Sequence, residues 1–381
     1  MTNVPPPAEL KHRVERFRNL LRQRKLAAAL ISNERNVRYL SGFTGNDSAL
    51  LITPTKKVLL TDFRYIEEAG HTARGWDVVI EKNKQTKKGP KIIVPHGLME
   101  KAGHVAKKLH LRRLSVEPGD LTMADIKALR KATRGIKVKP EDAMVNELRL
   151  IKSAWEIHQI DNALRIQEAS FEQLCKVLEN GISEREAAAT LRFLMVKNGA
   201  DDQAFDVMFQ IGSNSSLPHG RPTDRRLNGN AVILLDWGAK RGGYHSDLTR
   251  TFFLGTIPAQ LRKIHGVVME AQQAAIARIG PGVAMKDVDA AARDVITKAG
   301  FGKAFGHSTG HGLGLDIHES PSLSSRSKGN LAVGMVVTVE PGIYLPGVGG
   351  VRIEDDVLVT PNGHRVLSRL KKGLRWNGDN E

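Results

Sequence analysis

The strongest constraint on how this chain can fold is a set of four carboxylates placed in or beside apolar strands. Asp236 lies in the run Ala-Val-Ile-Leu-Leu-Asp-Trp, and Asp247 precedes Leu-Thr-Arg-Thr-Phe-Phe. Further on, Glu340 ends Thr-Val-Glu, and Glu354 follows Val-Arg-Ile. An unpaired charge is costly to bury, so a fold that buries these strands must place positive charge among the carboxylates. A metal ion is the natural candidate.

The first two carboxylates are predicted to face each other across a hairpin. Residues 239–243 separate their strands, and a turn centred on Arg241 and Gly242 would pair Asp236 directly with Asp247. Like charges directly opposed on a ladder are destabilising unless a cation lies between them. The pairing therefore favours a metal site on one face of this hairpin.

Three imidazoles come from one glycine-rich segment later in the chain, at His307, His311 and His318. One imidazole together with several carboxylates is a ligand set suited to manganese, zinc, iron or cobalt. Two such ions that share bridging carboxylates can generate a hydroxide at neutral pH and polarise a carbonyl group.

The length of 381 residues predicts two domains, because single domains divide beyond ~250–300 residues. Over residues 9–140, short apolar runs alternate with helical stretches, which predicts a small α/β domain. Residues 1–8 have neither a basic region nor an apolar core of a secretion signal, and they are predicted to form a flexible leader.

The second domain is predicted to span residues 145–381 and to be α+β. Two capping boxes, Ser153 with Glu156 and Ser183 with Glu186, predict the starts of two helices. Long apolar strands with glycine-rich turns follow, including one predicted strand over residues 351–359.

The excess positive charge is confined to the first domain. Residues 1–140 hold 29 Lys and Arg against 13 Asp and Glu, whereas the rest of the chain holds 28 of each. The cations are scattered singly, with no RNA-binding aromatic motif or zinc-finger spacing. This pattern favours a solvated basic surface over a nucleic-acid partner.

Cysteine content and hydropathy predict a cytoplasmic protein. Cys175 is the single cysteine, so no internal disulfide can form, and a reducing compartment is expected. No segment approaches the ~20 apolar residues that cross a bilayer, so no membrane partner is expected. A hydrophobic share of 41% with 26% charged residues also excludes the disordered and coiled-coil classes.

These motifs resemble the pita-bread metallopeptidases, and within them the branch of Xaa-Pro aminopeptidases and prolidases. The matching segments are Leu-Asp-Trp-Gly at 235–238, Ser-Asp-Leu-Thr-Arg-Thr at 246–251, the histidine-rich segment 307–319, Val-Glu-Pro-Gly-Ile-Tyr at 339–344 and Val-Arg-Ile-Glu-Asp-Asp at 351–356. Residues 36–45 and 61–65 are similar to the amino-terminal domain of the same branch. The resemblance implies a creatinase-like α/β domain followed by an α+β pita-bread (creatinase/aminopeptidase) catalytic domain.

The resemblance also implies site residues. The implied metal ligands are Asp236, Asp247, His311, Glu340 and Glu354, with Asp247 and Glu354 bridging two ions. The implied substrate-binding residues are His219, His307, His318 and Arg352, and the implied catalytic groups are Glu340, His318 and His219. Glu340 can move a proton towards the leaving nitrogen, and His318 can donate to the developing oxyanion.

The implied reaction is release of the first residue from peptides with proline in second position, by attack of a metal-bridging hydroxide. An Xaa-Pro dipeptidase (prolidase) that acts on dipeptides is the alternative, since it shares every motif quoted above. A more distant alternative is a catalytically idle pita-bread module that binds a protein or nucleic acid.

Metal identity and assembly are expected from chemistry and geometry. Manganese(II) is the expected metal because four of the five implied ligands are hard oxygens, with cobalt and zinc as alternatives. An exopeptidase must close one end of its groove, and a neighbouring subunit can do so. A homodimer or larger homo-oligomer is therefore expected.

Overall fold

The computed structural model of the protein describes residues 4–79, 97–373 and 375. Its Cα positions divide the chain into two compact units, Met1–Arg149 and Leu150–Glu381. The predicted domain ranges, 9–140 and 145–381, place this change several residues earlier. Within the described ranges, no helix combines the length and the hydropathy that crossing a membrane requires.

Over its described residues, 4–79 and 97–149, the first unit is a mixed six-stranded sheet with helices packed on it. Its helices are α1 (Pro7–Gln23), α2 (Glu34–Ser41), α3 (Ile66–Thr72), α4 (Leu98–Lys108), α5 (Met123–Ala132) and α6 (Met144–Arg149). Its strands are β1 (Ala29–Ile31), β2 (Ala49–Ile52), β3 (Lys57–Leu60), β4 (Asp77–Val79), β5 (Arg113–Val116) and β6 (Lys137–Pro140). The strand order is β4-β3-β2-β1-β5-β6. Strand β2 runs antiparallel to β1 and β3, and the other pairs are parallel.

The predicted flexible leader is partly helical. Residues 1–3 lie outside the described residues, but Pro7 and Ala8 already form the first turn of α1. Proline suits the first helical position because its fixed φ is helical and its missing N–H would have no partner there. Helix α1 therefore overlaps the last two residues of the predicted leader.

The described part of the second unit combines four α-helices with short antiparallel sheets. Its helices are α7 (Ala154–Val177), α8 (Glu184–Lys197), α9 (Ala259–Arg278) and α10 (Met285–Lys298). Its strands are β7 (Asp202–Gln203), β8 (Met208–Ile211), β9 (Ala231–Trp237), β10 (Ala239–Arg241), β11 (Tyr244–His245), β12 (Leu248–Leu254), β13 (Gly310–Gly312), β14 (Glu319–Leu323), β15 (Val336–Val339), β16 (Gly342–Leu345), β17 (Gly349–Arg352), β18 (Asp355–Thr360) and β19 (Gly363–Val366). The sheets have the orders β11-β10-β7, β12-β9-β8, β14-β13-β15-β18-β19 and β16-β17.

Both predicted capping boxes are confirmed. The side chain of Ser153 accepts from the Glu156 amide, and the Glu156 carboxylate accepts from the Ser153 amide. Ser183 and Glu186 make the same reciprocal pair at the start of α8. These bonds satisfy amides that a helix leaves free at its start, so the two helices begin where the sequence predicts.

The hairpin that carries Asp236 has a register two residues away from the predicted one. Strands β9 and β12 pair so that Thr249, and not Asp247, lies opposite Asp236. The turn is centred on Gly242 and Gly243, whose φ values are +60° and +81°. A two-residue type I′ turn needs positive φ at both central positions, which glycine adopts without strain. A shift of two residues preserves the face that each side chain takes, so Asp247 stays within electrostatic reach of Asp236.

The single strand predicted over residues 351–359 is two strands in different sheets. Strand β17 ends at Arg352 and pairs with β16, whereas β18 begins at Asp355 and pairs with β15. Ile353 and Glu354 form the break between them. The side chain of Glu354 therefore emerges where the chain passes from one sheet to the next.

Substitution of Gly310 by alanine tests how closely β13 and β15 pack beside His311. A Cβ at position 310 would lie 1.9 Å from the Thr338 carbonyl oxygen. We expect Gly310→Ala to destabilise the protein by ~1–3 kcal/mol, as overpacking does, and to lower the thermal unfolding midpoint. Calorimetry of the metal-free full-length protein measures this change.

Gly266→Ala is the matched control. Gly266 is exposed within α9, and no atom outside its chain neighbours and the backbone of its own helix lies within 4 Å of an added Cβ. We expect it to stabilise the helix by ~0.5–1 kcal/mol. Equal unfolding midpoints for Gly310→Ala and the unmodified protein would contradict the close approach of the two strands.

Candidate metal centre

Predicted ligands from four separate strand segments converge in the second unit. One ligand atom each from Asp247, His311 and Glu354 lies within 4.8 Å of the other two. The His311 Nε2 atom lies 3.3 Å from Oε1 of Glu340 and 3.7 Å from Oδ2 of Asp247. The structure thus brings together four of the five side chains that the sequence singled out as ligands.

Each of the five side chains comes from a strand or a strand end. Asp236 lies in β9, Asp247 precedes β12, His311 lies in β13, Glu340 follows β15, and Glu354 occupies the break between β17 and β18. Backbone ladders hold the strands in place, so Asp236 and His311 are carried by rigid elements, and Asp247 and Glu340 directly adjoin such elements.

Asp236 is braced by a buried arginine. The Nη2 atom of Arg352 donates to Oδ2 of Asp236 over 2.5 Å. Other nitrogens of Arg352 donate to the hydroxyls of Thr249 (2.9 Å) and Tyr344 (2.8 Å) and to the Pro218 carbonyl (3.2 Å). The Oδ1 atom of Asp236 is buried without a hydrogen-bond partner. It is therefore a free acceptor beside the other carboxylates.

The charges of the cluster fit a cation. Burial raises the pKa of Asp247 well above its usual value, and the charge of Glu354 raises it further. Burial likewise raises the pKa of Glu354, with added repulsion from Glu340. The pKa of Asp236 is also raised by burial, although Arg352 opposes the shift. Four carboxylates, one of which has an oxygen without a hydrogen-bond partner, and one imidazole therefore form a donor set that suits divalent metal ions.

His311 is oriented as a ligand would be. Its Nδ1 atom lies 3.1 Å from the Gly312 carbonyl oxygen, which leaves Nε2 facing the carboxylates. Its amide donates to Thr338 Oγ1 (3.1 Å), and that hydroxyl donates to Glu340 Oε1 (3.3 Å). Burial lowers the pKa of His311, which favours the neutral ring that metal binding requires.

The other predicted histidines surround this cluster. His318 keeps much of its surface exposed, and its ring packs edge-on against His311, with centroids 4.4 Å apart. Burial lowers the pKa of His307, whereas partial burial and the nearby charge of His311 lower the pKa of His318; His219 contributes to both shifts. His219 itself is exposed in a turn.

Tyr344 connects two of the predicted residues, although no role was predicted for it from the sequence. Its hydroxyl accepts from Arg352 and lies 3.0 Å from Nε2 of His307. Burial raises the pKa of Tyr344 to about 12. Tyr344 ends the matched motif at 339–344, and this position was the sequence signal that could have identified it.

The sequence analysis also missed Thr249 and Asp356, which both contact predicted ligands. Thr249 Oγ1 donates to Oε2 of Glu354 over 2.7 Å, and Asp356 Oδ2 accepts from the Asp247 amide over 3.2 Å. A hydroxyl or carboxylate two residues from a predicted ligand, on the same strand face, was the signal that could have found them.

Comparisons with known proteins agree with this geometry. Residues 158–361 match the profile of metallopeptidase family M24, and residues 13–151 match the creatinase/prolidase N-terminal domain. The solved structure of a Xaa-Pro dipeptidase from Bacillus anthracis is similar to this chain, with 37% identity and a TM-score of 0.90 over 96% of this chain and 99% of that one.

Two more relatives extend the likeness. The X-Pro aminopeptidase structure from Thermotoga maritima MSB8 is 32% identical, with a TM-score of 0.84 over 94% of this chain and 99% of that one. A Xaa-Pro dipeptidase of Pyrococcus horikoshii is 32% identical over 366 residues, which cover 96% of this chain and 99% of the relative. The predicted pita-bread fold and metallopeptidase class are thereby confirmed, and the chain belongs to metallopeptidase family M24, with a creatinase/prolidase domain before its catalytic domain.

Proposed function

We propose that the protein is a Xaa-Pro dipeptidase, which hydrolyses the bond before proline in dipeptides. The convergence of Asp247, His311 and Glu354 is the observation that carries the proposal. The sequence alone favoured an aminopeptidase that acts on longer peptides. Two of the three relatives described above are named dipeptidases, and they support the alternative more than that first choice.

The aminopeptidase activity is the second candidate. The Thermotoga maritima structure, which is named an X-Pro aminopeptidase, supports it. A third candidate, the catalytically idle module, is disfavoured because every predicted ligand position carries an ionisable side chain.

The proposed metal ligands are Asp236, Asp247, His311, Glu340 and Glu354, which would hold two divalent ions, and Asp247 and Glu354 would each contribute to both. When bound, the ions would supply Lewis acidity and acidify water at neutral pH. Manganese(II) is the first choice because four of the five donors are hard oxygens, and cobalt and zinc are the alternatives.

The chain's own groups supply proton transfer and orientation. Glu340, beside His311, can accept a proton from the attacking water and pass it to the leaving nitrogen. The neutral ring of His318 can donate an N–H to the oxyanion that develops on the scissile carbonyl. Arg352 holds Asp236 and Tyr344 in place, and His307 with exposed His219 would line the substrate site.

Assembly and location stay as predicted from the sequence. We propose a cytoplasmic homodimer or larger homo-oligomer, without a nucleic-acid partner. The need to close one end of a peptide groove supports the oligomer, and the single Cys175 supports the compartment.

Removing either shared carboxylate tests the ligand assignment. We expect Asp247→Asn and Glu354→Gln to abolish turnover and to reduce the metal content below two ions per chain, because each carboxylate would serve both ions. Mass spectrometry of the metal content and a proline-release assay measure the two effects. Asp224→Asn, at an exposed carboxylate, is the control. Full activity with two bound ions in either variant would refute the assignment.

His318 separates transition-state stabilisation from metal binding. We expect His318→Ala to keep its metal and to lose ~10²–10³ in kcat, the usual cost of one oxyanion donor. Steady-state kinetics at saturating manganese measure the loss. If the metal stoichiometry fell instead, His318 would be a ligand.

Substrate length separates the two peptidase candidates. We expect kcat/KM for Gly-Pro to exceed that for a Gly-Pro-Xaa tripeptide at least roughly tenfold, a difference of about 1.4 kcal/mol. Gly-Ala should be almost untouched. The reverse order for Gly-Pro and the tripeptide would identify an aminopeptidase, and hydrolysis of none of them would favour the idle module.

A further inference from the structure

A buried arginine lies directly behind the proposed metal ligands. Arg250 in β12 is 1% exposed, and each of its N–H groups can be assigned an acceptor. Nη1 donates to the carbonyls of Thr249 (3.0 Å) and Glu354, Nη2 to Asp355 Oδ1 (2.8 Å) and the Leu370 carbonyl (2.7 Å), and Nε to the Lys371 carbonyl (3.3 Å). The arginine therefore joins backbone at the metal cluster to backbone near the carboxy terminus.

Asp355 completes the connection. Its Oδ1 accepts from Arg250 and from Ser368 Oγ (2.8 Å), and its Oδ2 accepts from Gln272 (2.7 Å) and from the Lys372 ammonium. This buried carboxylate is thus paired with two cations of the chain, Arg250 and Lys372.

Residues 368–372, which we call the terminal clamp, supply four of these contacts. Ser368 and Lys372 contribute side chains, and residues 370 and 371 contribute carbonyls. On its other side, the clamp is held by Glu168 of α7, which accepts from the amides of Arg369 and Leu370. The clamp is therefore fixed to the helix layer as well as to Asp355.

The backbone of Glu354 lies outside any strand ladder, so its position depends on contacts with Arg250 and with neighbouring backbone groups. Its amide donates to the Thr249 carbonyl over 3.1 Å, and its carbonyl accepts from Arg250. The next residue, Asp355, is held by the terminal clamp. The backbone on either side of the carboxylate is thus fixed by Arg250 and the clamp.

We propose that the terminal clamp positions Glu354 for metal binding, with Lys372 as its principal positioning residue. The inference rests on the proposed role of Glu354 as a metal ligand. Groups that orient metal ligands typically change metal affinity ~10–100-fold when they are removed. Lys372 acts through Asp355 and Arg250, so its loss belongs at the lower end of that range.

Manganese titration of the metal-free full-length protein by calorimetry tests the proposal. We expect Lys372→Met to raise the Mn²⁺ Kd roughly tenfold and Lys372→Arg to restore it. Coulomb's law alone predicts the opposite sign, since removing a positive charge should strengthen cation binding. Lys371→Met is the matched control, because it removes the same charge from an exposed side chain whose backbone carbonyl makes the contact. This control should not weaken binding.

A second measurement needs no metal. Hydrogen exchange of peptides containing the Glu354 amide should be faster in Lys372→Met than in Lys371→Met, in the metal-free protein. Ser368→Ala, which deletes one hydroxyl bonded to Asp355, should change both measurements in the same direction by less. It replaces Lys372→Met if that variant does not fold.

The outcomes separate this proposal from the proposed function. If the unmodified protein binds none of Mn²⁺, Co²⁺ and Zn²⁺, the metallopeptidase site assignment fails; if it binds only Co²⁺ or Zn²⁺, the same titrations are run with that ion. If the unmodified protein binds Mn²⁺ and neither Lys372→Met nor Ser368→Ala weakens binding beyond Lys371→Met, the positioning role fails and the site assignment stands.

Discussion

The burial of Asp236, Asp247 and Glu354 is the constraint on which the catalytic domain depends. Removing carboxylates from water is costly, and burial raises the pKa of all three. Arg352 offsets part of this cost at Asp236, and the Thr249 hydroxyl offsets part of it at Glu354. The arrangement therefore favours a bound cation.

The successive carboxylates Glu354, Asp355 and Asp356 show how the surroundings of a carboxylate determine its role. Glu354 and Asp356 have raised pKa values, because burial dominates at both. Asp355 between them has a lowered pKa, because Arg250 and Lys372 outweigh its burial. Side chains alternate along an extended chain, so the middle carboxylate faces away from its neighbours. It can anchor the backbone while Glu354 remains free to bind a cation.

Short sequence motifs predicted those structural elements that are stabilised by contacts between residues close in sequence. The capping boxes at Ser153 and Ser183 fixed the starts of α7 and α8, because each box is complete within four residues. The short helix α2 (Glu34–Ser41) was missed, although Asn33 caps it with two backbone bonds. The predicted hairpin register was wrong by two residues. The observed turn at Gly242 and Gly243 lies one position after the predicted turn at Arg241 and Gly242, and moving a turn by one position shifts the strand pairing by two residues.

The sequence by itself determined which side chains could form a metal site, because carboxylates in apolar strands and glycine-rich histidine motifs are costly or rare without a partner. Only the tertiary structure decided how those side chains are held. The break at Glu354 depends on two sheets diverging, and Arg250 meets Asp355 across 105 residues of chain. Such contacts have no local signature, since they arise from the packing of strands distant in sequence.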